Sequence, residues 1–183
     1  GISLRYSSNN RITGNNANYN GENGISLVSS ANNTITGNNV ANNAVSGISL
    51  ESSTNNTVRG NSASYHTYDG IRLHSSINNT VIGNNASYNT NNGIRLWYSS
   101  NNNTCLRNTV RNNSNAGFFL AVTSNYNLIF RNDITGNGEN DFNRQAREGS
   151  DCTGNQWDDG STGNYWGEYT TKYPDATNDG RVW

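Results

Sequence analysis

One group of side chains in this sequence has the makings of a site for an acidic sugar. His66, Tyr68, Asp69, Arg72 and His74 fall within nine residues, and offsets of 23 residues bring Glu51 beside His74, Arg95 beside Arg72 and Trp97 beside His74. Arginine grips a carboxylate through two parallel N–H bonds, and tryptophan or tyrosine offers a flat apolar face to a sugar ring. A solvated surface of stacked charge pairs accounts for the same residue types, so both readings stand at this point. Catalysis is harder to find. Glycoside hydrolysis needs two carboxyl groups flanking the bond, yet before Asp133 only Glu22, Glu51 and Asp69 carry one. There is no acid–His run of the epimerase type, so no catalytic residue is assigned. His66 and His74 belong to different strands and have no third soft ligand beside them, which argues against a transition metal.

Three smaller motifs bear on chemistry. Asp175, Thr177 and Asp179, followed by Gly180, match the opening of a calcium loop, with oxygen ligands on alternate residues. Asp158, Asp159 and Glu168 could complete it, and an ordinary acidic turn reads equally well. Cys105 and Cys152 are the only cysteines. An extracellular setting favours a bridge between them, while a buried free thiol at Cys105 is the alternative. The acceptor pattern N-x-[ST] occurs at Asn32, Asn55, Asn78, Asn85, Asn102 and Asn112, and four of these fall at one corner of successive repeats.

What positions all of these is a repeat. Gly70–Asn92 overlies Gly47–Asp69, Gly24–Ser46 and Gly1–Asn23, and Gly93–Ala116 and Gly117–Asn140 repeat it with one extra residue each. A fixed period of this length means a solenoid. Ile2, Ile25, Ile48, Ile71, Ile94 and Phe118 form one column, and Leu4, Leu27, Leu50, Leu73, Leu96 and Leu120 a second, two residues on. That spacing makes a short strand with one buried face. A second strand sends Ile12, Ile35, Val58, Val81, Cys105 and Ile129 inward; a third sends Ala17, Val40, Ala63, Ala86, Val110 and Ile134. Asn15, Asn38, Asn61, Asn84, Asn108 and Asn132 form an unbroken polar file, and Asn20, Asn43, Asn89, Asn113 and Asn137 another, interrupted by His66. Stacked amides bond along such a file. Gly14, Gly37, Gly60 and Gly83 mark a bend, and Arg107 and Arg131 replace them, so that corner is expected to change shape. Three strands per turn without a hexapeptide rhythm predict an all-β, right-handed parallel β-helix of about six turns of 23–24 residues, over residues 1–143.

Repeats of the form G-I-x-L-x-x-S-x-N-N-x-[IV]-x-G-N-x-[AV] resemble the carbohydrate-binding and sugar-hydrolase (CASH) β-helix repeats, and are most similar to NosD-like proteins of archaeal surface and secreted chains. The tail NQWDDGSTGNYWGEYTTKYPDATNDGR resembles the aromatic segment that closes repeat blocks there. The resemblance implies the fold and leaves the activity open, since that family spans copper-site maturation proteins, surface-layer components and carbohydrate-active enzymes. Ile82, Leu106, Leu128 and Phe130 make an outward apolar strip. Trp157, Tyr165, Trp166, Tyr169 and Tyr173 in residues 144–183 are expected to fold back over it as a cap.

Composition bounds the function. The 183 residues carry a net charge of −1, with one lysine among twelve basic residues, which excludes a nucleic-acid stripe; no apolar run is long enough to span a membrane. The chain opens on the first position of a repeat without a signal peptide, and reads as a processed piece whose first turn would stack on further turns or a partner. These features predict a non-catalytic extracellular module of a cell-surface or surface-layer-type protein, self-associating or bound to other layer proteins. The alternative is a carbohydrate-binding or polysaccharide-modifying module that uses the Glu51–Trp97 face. Calcium in the tail is the one cofactor expected.

Overall fold

The computed structural model describes residues 1–138 and 144–167. It is a right-handed parallel β-helix. Strands at Ile2–Arg5, Ile25–Val28, Ile48–Glu51, Ile71–His74, Asn92–Trp97, Ala116–Ala121 and Ala146–Glu148 form a seven-stranded first sheet. A six-stranded second sheet runs from Arg11–Thr13 to Leu128–Phe130. The third face is made of short pairings, Asn39–Ala41 with Ser62–Ser64 and Thr109–Arg111 with Asp133–Thr135, linked by isolated bridges. Pairing is parallel and in register: Leu50 lies beside Leu27 and Leu73, and Leu73 beside Leu96. No helix among the described residues is long and apolar enough to cross a membrane.

Register of this kind puts like on like. Ile48, Leu50, Val58 and Ala63 are the inward side chains of one turn, and all are fully buried. Four small residues bury too little to hold one turn together, but rungs about 4.8 Å apart fuse them into a continuous core. Gly93 shows how closely the first strand is approached: a Cβ there would lie 2.3 Å from Val110 Cγ1 and 2.7 Å from Asn113 Nδ2.

The polar files are bonded as stacked amides should be. Asn38 Nδ2 donates to Asn61 Oδ1 at 2.9 Å and to the Ile12 carbonyl at 3.0 Å, and the Asn38 backbone N–H shares the Asn61 oxygen. A further file, Asn10–Asn33–Asn56–Asn79–Asn103–Asn127–Asn155, repeats this pattern. In the sequence four of its members, Asn33, Asn56, Asn79 and Asn103, read only as the middle letters of acceptor motifs. The six acceptor asparagines themselves are exposed.

Two expectations are corrected here. Arg107 and Arg131 keep φ at 54° and 55°, close to the 64° of Gly37, so the corner holds its left-handed shape and the arginines bear the strain. Residues 144–167 do not fold back over the outward strip; they build a seventh turn. Ala146–Glu148 pairs with the first sheet, Gln156 bridges Leu128, and Tyr165–Trp166 pairs with Asp133–Thr135. Asn155 and Asn164 extend two of the files. Trp157 packs edge-on against Phe118 at 6.1 Å and leans on Trp166 at 6.0 Å, so two indoles close the end of the apolar interior. The segments T-G-N-Q-W (153–157) and T-G-N-Y-W (162–166) are repeat corners in which tryptophan takes the aliphatic place. Ile82, Leu106 and Phe130 line up outward and are half-buried. Tyr169 and Tyr173 lie outside the described residues.

Candidate functional site

The first sheet turns two columns outward. One runs Ser49, Arg72, Arg95, Phe119, Arg147 and the other Glu51, His74, Trp97, Ala121. Alternation along each strand decides this, because the residues between them are the inward isoleucines and leucines. Arg72 and His74 are half-buried and Glu51 is exposed, while Arg95 is only 8% exposed.

Arg95 is the hinge of the cluster. Its guanidinium carbon lies 3.0 Å from the Trp97 ring centroid and 5.6 Å from that of Phe119, and one terminal nitrogen is 3.7 Å from Asp69 Oδ2. Arg147 approaches the other side of Phe119 at 5.4 Å. Trp97 meets Phe119 edge-on, and Tyr98 packs against both Trp97, at 5.7 Å, and His74, at 5.1 Å. Tyr98, Phe119 and Arg147 complete the patch without having been singled out in the sequence. Tyr98 sits at the corner just past the strand, Phe119 continues the Arg72–Arg95 column, and Arg147 can be placed only once the seventh turn is in register.

Asp69 is fully buried at the corner before Ile71–His74. Its Oδ1 accepts from Asn92 N and Nδ2 and from Asn91 Nδ2, at 2.8 to 3.1 Å, and its Oδ2 has no hydrogen-bond partner. Burial pushes its carboxyl up, against the pull of the Asn92 donors and the Arg95 and Arg72 guanidiniums. Burial likewise lowers Arg95, with Asp69 opposing; it remains a cation. Burial and then Arg72 lower His74 while Glu51 raises it, so the imidazole is neutral near pH 7. Tyr68 stands half exposed on the corner, within electrostatic reach of Arg95.

His66 does not join the patch. It occupies the place of an asparagine in the third polar file and is 1% exposed. Its Nδ1 accepts from Asn43 N at 3.1 Å, and Nε2–H donates to the Val40 carbonyl at the same distance. Burial lowers its pKa to about 4. The side chain is structural, a ring doing an amide's work.

Of the two readings the sequence left open for Cys105 and Cys152, the bridge is not formed; both thiols are free. Cys105 stands in the second sheet beside Val81 and Ile129, while Cys152 takes the place of Ser124 one turn on, at another corner. Two rungs of about 4.8 Å separate them along the axis, which with the lateral offset exceeds the reach of a disulfide, about 7 Å between Cα atoms. Asp159, considered as a calcium ligand, is bonded instead to the N–H groups of Ser161 and Thr162 and paired with Arg131 at 3.1 Å. Asp175, Thr177 and Asp179 lie outside the described residues. No group of three His, Cys, Asp or Glu side chains converges among the described residues.

Of six buried polar side-chain atoms without a hydrogen-bond partner among the described residues, four stand on these two columns, Arg72 Nε, His74 Nδ1, Arg95 Nε and Trp97 Nε1, and a fifth, Asp69 Oδ2, faces Arg95 at 3.7 Å. Folded proteins leave few such atoms unpaired, so their convergence is a property of this patch.

Comparison with known proteins follows the fold. Residues 1–171 match the family model described as periplasmic copper-binding protein (NosD). A comparison with curated proteins gave no match. Among solved structures, the periplasmic alginate epimerase AlgG superposes with a TM-score of 0.73 at 21% identity, over 91% of this chain and 42% of that one. The A-module of the Azotobacter vinelandii mannuronan C-5 epimerase AlgE4 gives a TM-score of 0.47 at 15% identity, over 96% of this chain and 57% of that one. The chain thus spans less than half the length of AlgG, and the likeness is one of fold.

Proposed function

This chain belongs to the NosD family of parallel β-helix proteins, and on that premise we propose that its first-sheet face binds an acidic polysaccharide in the extracellular or cell-envelope space. The observation that carries the reading is the set of four buried polar atoms without a hydrogen-bond partner on the two outward columns, Arg72 Nε, His74 Nδ1, Arg95 Nε and Trp97 Nε1. Arg72 supplies a cation for a uronate carboxylate, and the Trp97–Tyr98–Phe119 surface supplies stacking for ring faces. Arg147 lies three rungs of about 4.8 Å beyond Arg72, a span of about 14 Å that suits roughly three sugar units. The name of the structural neighbour, an alginate epimerase, agrees with a polysaccharide ligand by analogy of fold.

Copper, which the family description names, does not fit these residues. The chain has no methionine, and its two histidines and two cysteines stand at four separate places. His66 is bonded through both ring nitrogens, and Cys105 is sealed in the core.

Calorimetric titration with a mannuronate hexamer and a galacturonate hexamer tests the reading. Arg72→Ala and Trp97→Ala should each weaken binding about tenfold, and added salt should weaken it further. If neither hexamer binds, the acidic-polysaccharide reading is wrong. A second reading, a rigid non-catalytic surface module for assembly or adhesion, is supported by the six exposed acceptor asparagines, four of them stacked at one corner. Mass spectrometry of the chain from its source would find glycans there.

A further inference from the structure

A second feature lies at the corner after the third strand, away from the outward columns of the first sheet. Successive turns place Tyr19, Asn42, Tyr65, Tyr88 and Asn112 at one position, each with its N–H donated to the next rung. All five have left-handed backbone, with φ between 53° and 64°. Asparagine tolerates that conformation; a bulky aromatic does so only at a cost of order 1 kcal/mol or more. Three tyrosines therefore occupy positions where an asparagine would strain the chain less. They are not core: Tyr19 is 79% and Tyr65 55% exposed.

Their spacing shows what they leave open. Tyr65 and Tyr88, on adjacent rungs, stack with centroids 5.1 Å apart and planes 4° from parallel. Tyr19 and Tyr65 are separated by the short Asn42, hence by two rungs, about 9.6 Å. The cleft between them has a volume of about 520 Å³, with Asn42, Ala44 and Thr67 among its lining residues. Flat rings in contact sit about 3.5 Å apart, so a planar guest would need walls about 7 Å apart and would rattle in this gap. A puckered ring with axial hydrogens on both faces is thicker and fills it. Exposed amide and hydroxyl groups at Asn42 and Thr67 suit ring hydroxyls.

We propose that Tyr19 and Tyr65 form the two walls of a pyranose-binding cleft, with Asn42 as its floor, specific for an uncharged sugar ring. The cleft is independent of the acidic-polysaccharide face. The ladder is built to hold one guest ring in the rung where its own aromatic is left out.

Saturation-transfer NMR and titration with cellohexaose, mannohexaose and maltohexaose test this on the whole chain. At least one should bind. Asn42→Tyr fills the missing rung, keeps the fold, and should abolish that binding, a loss of tenfold or more. Tyr65→Ala should weaken it about three- to tenfold, and Tyr65→Phe should leave it within twofold. Binding of a mannuronate hexamer should be unaffected by Asn42→Tyr, which separates this cleft from the first-sheet face. The proposal is overturned if none of the three neutral hexamers binds, if Asn42→Tyr binds as the unaltered chain does, or if the cleft accepts only a planar ring such as adenosine. Sedimentation showing that Tyr19 and Tyr65 serve a dimer instead would also overturn it.

Discussion

Arg95 lies over Trp97 with its guanidinium carbon 3.0 Å from the ring centroid, while the same side chain reaches the buried Asp69. The indole thereby fixes the plane of a cation that would otherwise swing along the sheet, and its Nε is left buried and unbonded. A flat delocalised cation is required for that geometry, and lysine cannot reproduce it.

Arg95→Lys should therefore separate charge from shape. The net charge is kept, yet the flat stacking on Trp97 is lost, worth about 0.5–2 kcal/mol at a partly desolvated site. The near-ultraviolet circular dichroism of the tryptophans should change, and affinity for a mannuronate hexamer should fall about fivefold. Unchanged affinity would show that the arginine is only a spacer between Asp69 and the aromatics.

His66 makes stability depend on pH in a defined window. Its pKa is about 4 in the folded chain against 6.5 for a free imidazole, so between these values the unfolded chain binds a proton that the folded one does not. Stability is complete above about pH 6.5 and declines as the pH falls toward 4. A shift of this size corresponds to roughly 3 kcal/mol at most. His66→Asn restores the amide file and should remove this decline; thermal unfolding of both chains from pH 7 to 4.5 measures it. Parallel curves would mean that the ring is not buried neutral.

How much of this was legible in the sequence depends on whether a residue's column or its surroundings decide its role. The aliphatic columns and the Asn15–Asn132 file follow from the repeat of 23 residues, lengthened to 24 in the last two turns, and the alignment of Arg72 with Arg95 and His74 with Trp97 from the 23-residue offset. The seventh turn did not, because Asn127 finds its partner 28 residues on and Asn132 finds its own 32 on, which hides Asn155 and Asn164 from a fixed period. Chemistry-bearing residue types also misled. His66 looked like a ligand because it is a histidine, but its place in an asparagine file made it structural. Asp69 read as a member of the acidic-sugar cluster, but it is buried, and only coordinates show Asn91 and Asn92 closing on its carboxylate.

The two thiols should behave differently. Burial pushes Cys105 up to about 12, and the side chain is enclosed between Val81 and Ile129, so no thiolate forms near neutral pH. Cys152 is half-buried, its thiol also raised by burial, but within reach of solvent at the seventh turn. Native protein at pH 8 should take up one equivalent of iodoacetamide, located at Cys152 by peptide mapping, and two after denaturation. No labelling in either state would indicate the bridge that the structure lacks.

Arg107 offers a direct measure of what the left-handed corner costs. It is exposed and has φ of 54° at a position where Gly37, Gly60 and Gly83 occupy earlier turns. The side chain gains nothing from burial there, and a non-glycine residue in this conformation is strained by about 1–2 kcal/mol. Glycine relieves that strain but gives the unfolded chain more freedom, which offsets about 0.5–1 kcal/mol. Arg107→Gly should leave a net gain of about 0.5–1 kcal/mol in denaturant unfolding, with an unchanged m-value. Arg131 is the less suitable test because its guanidinium pairs with Asp159, so the same substitution there would also remove a tie to the seventh turn. A loss of stability at Arg107→Gly would mean that this arginine holds the corner through its side chain and that strain is not the governing term.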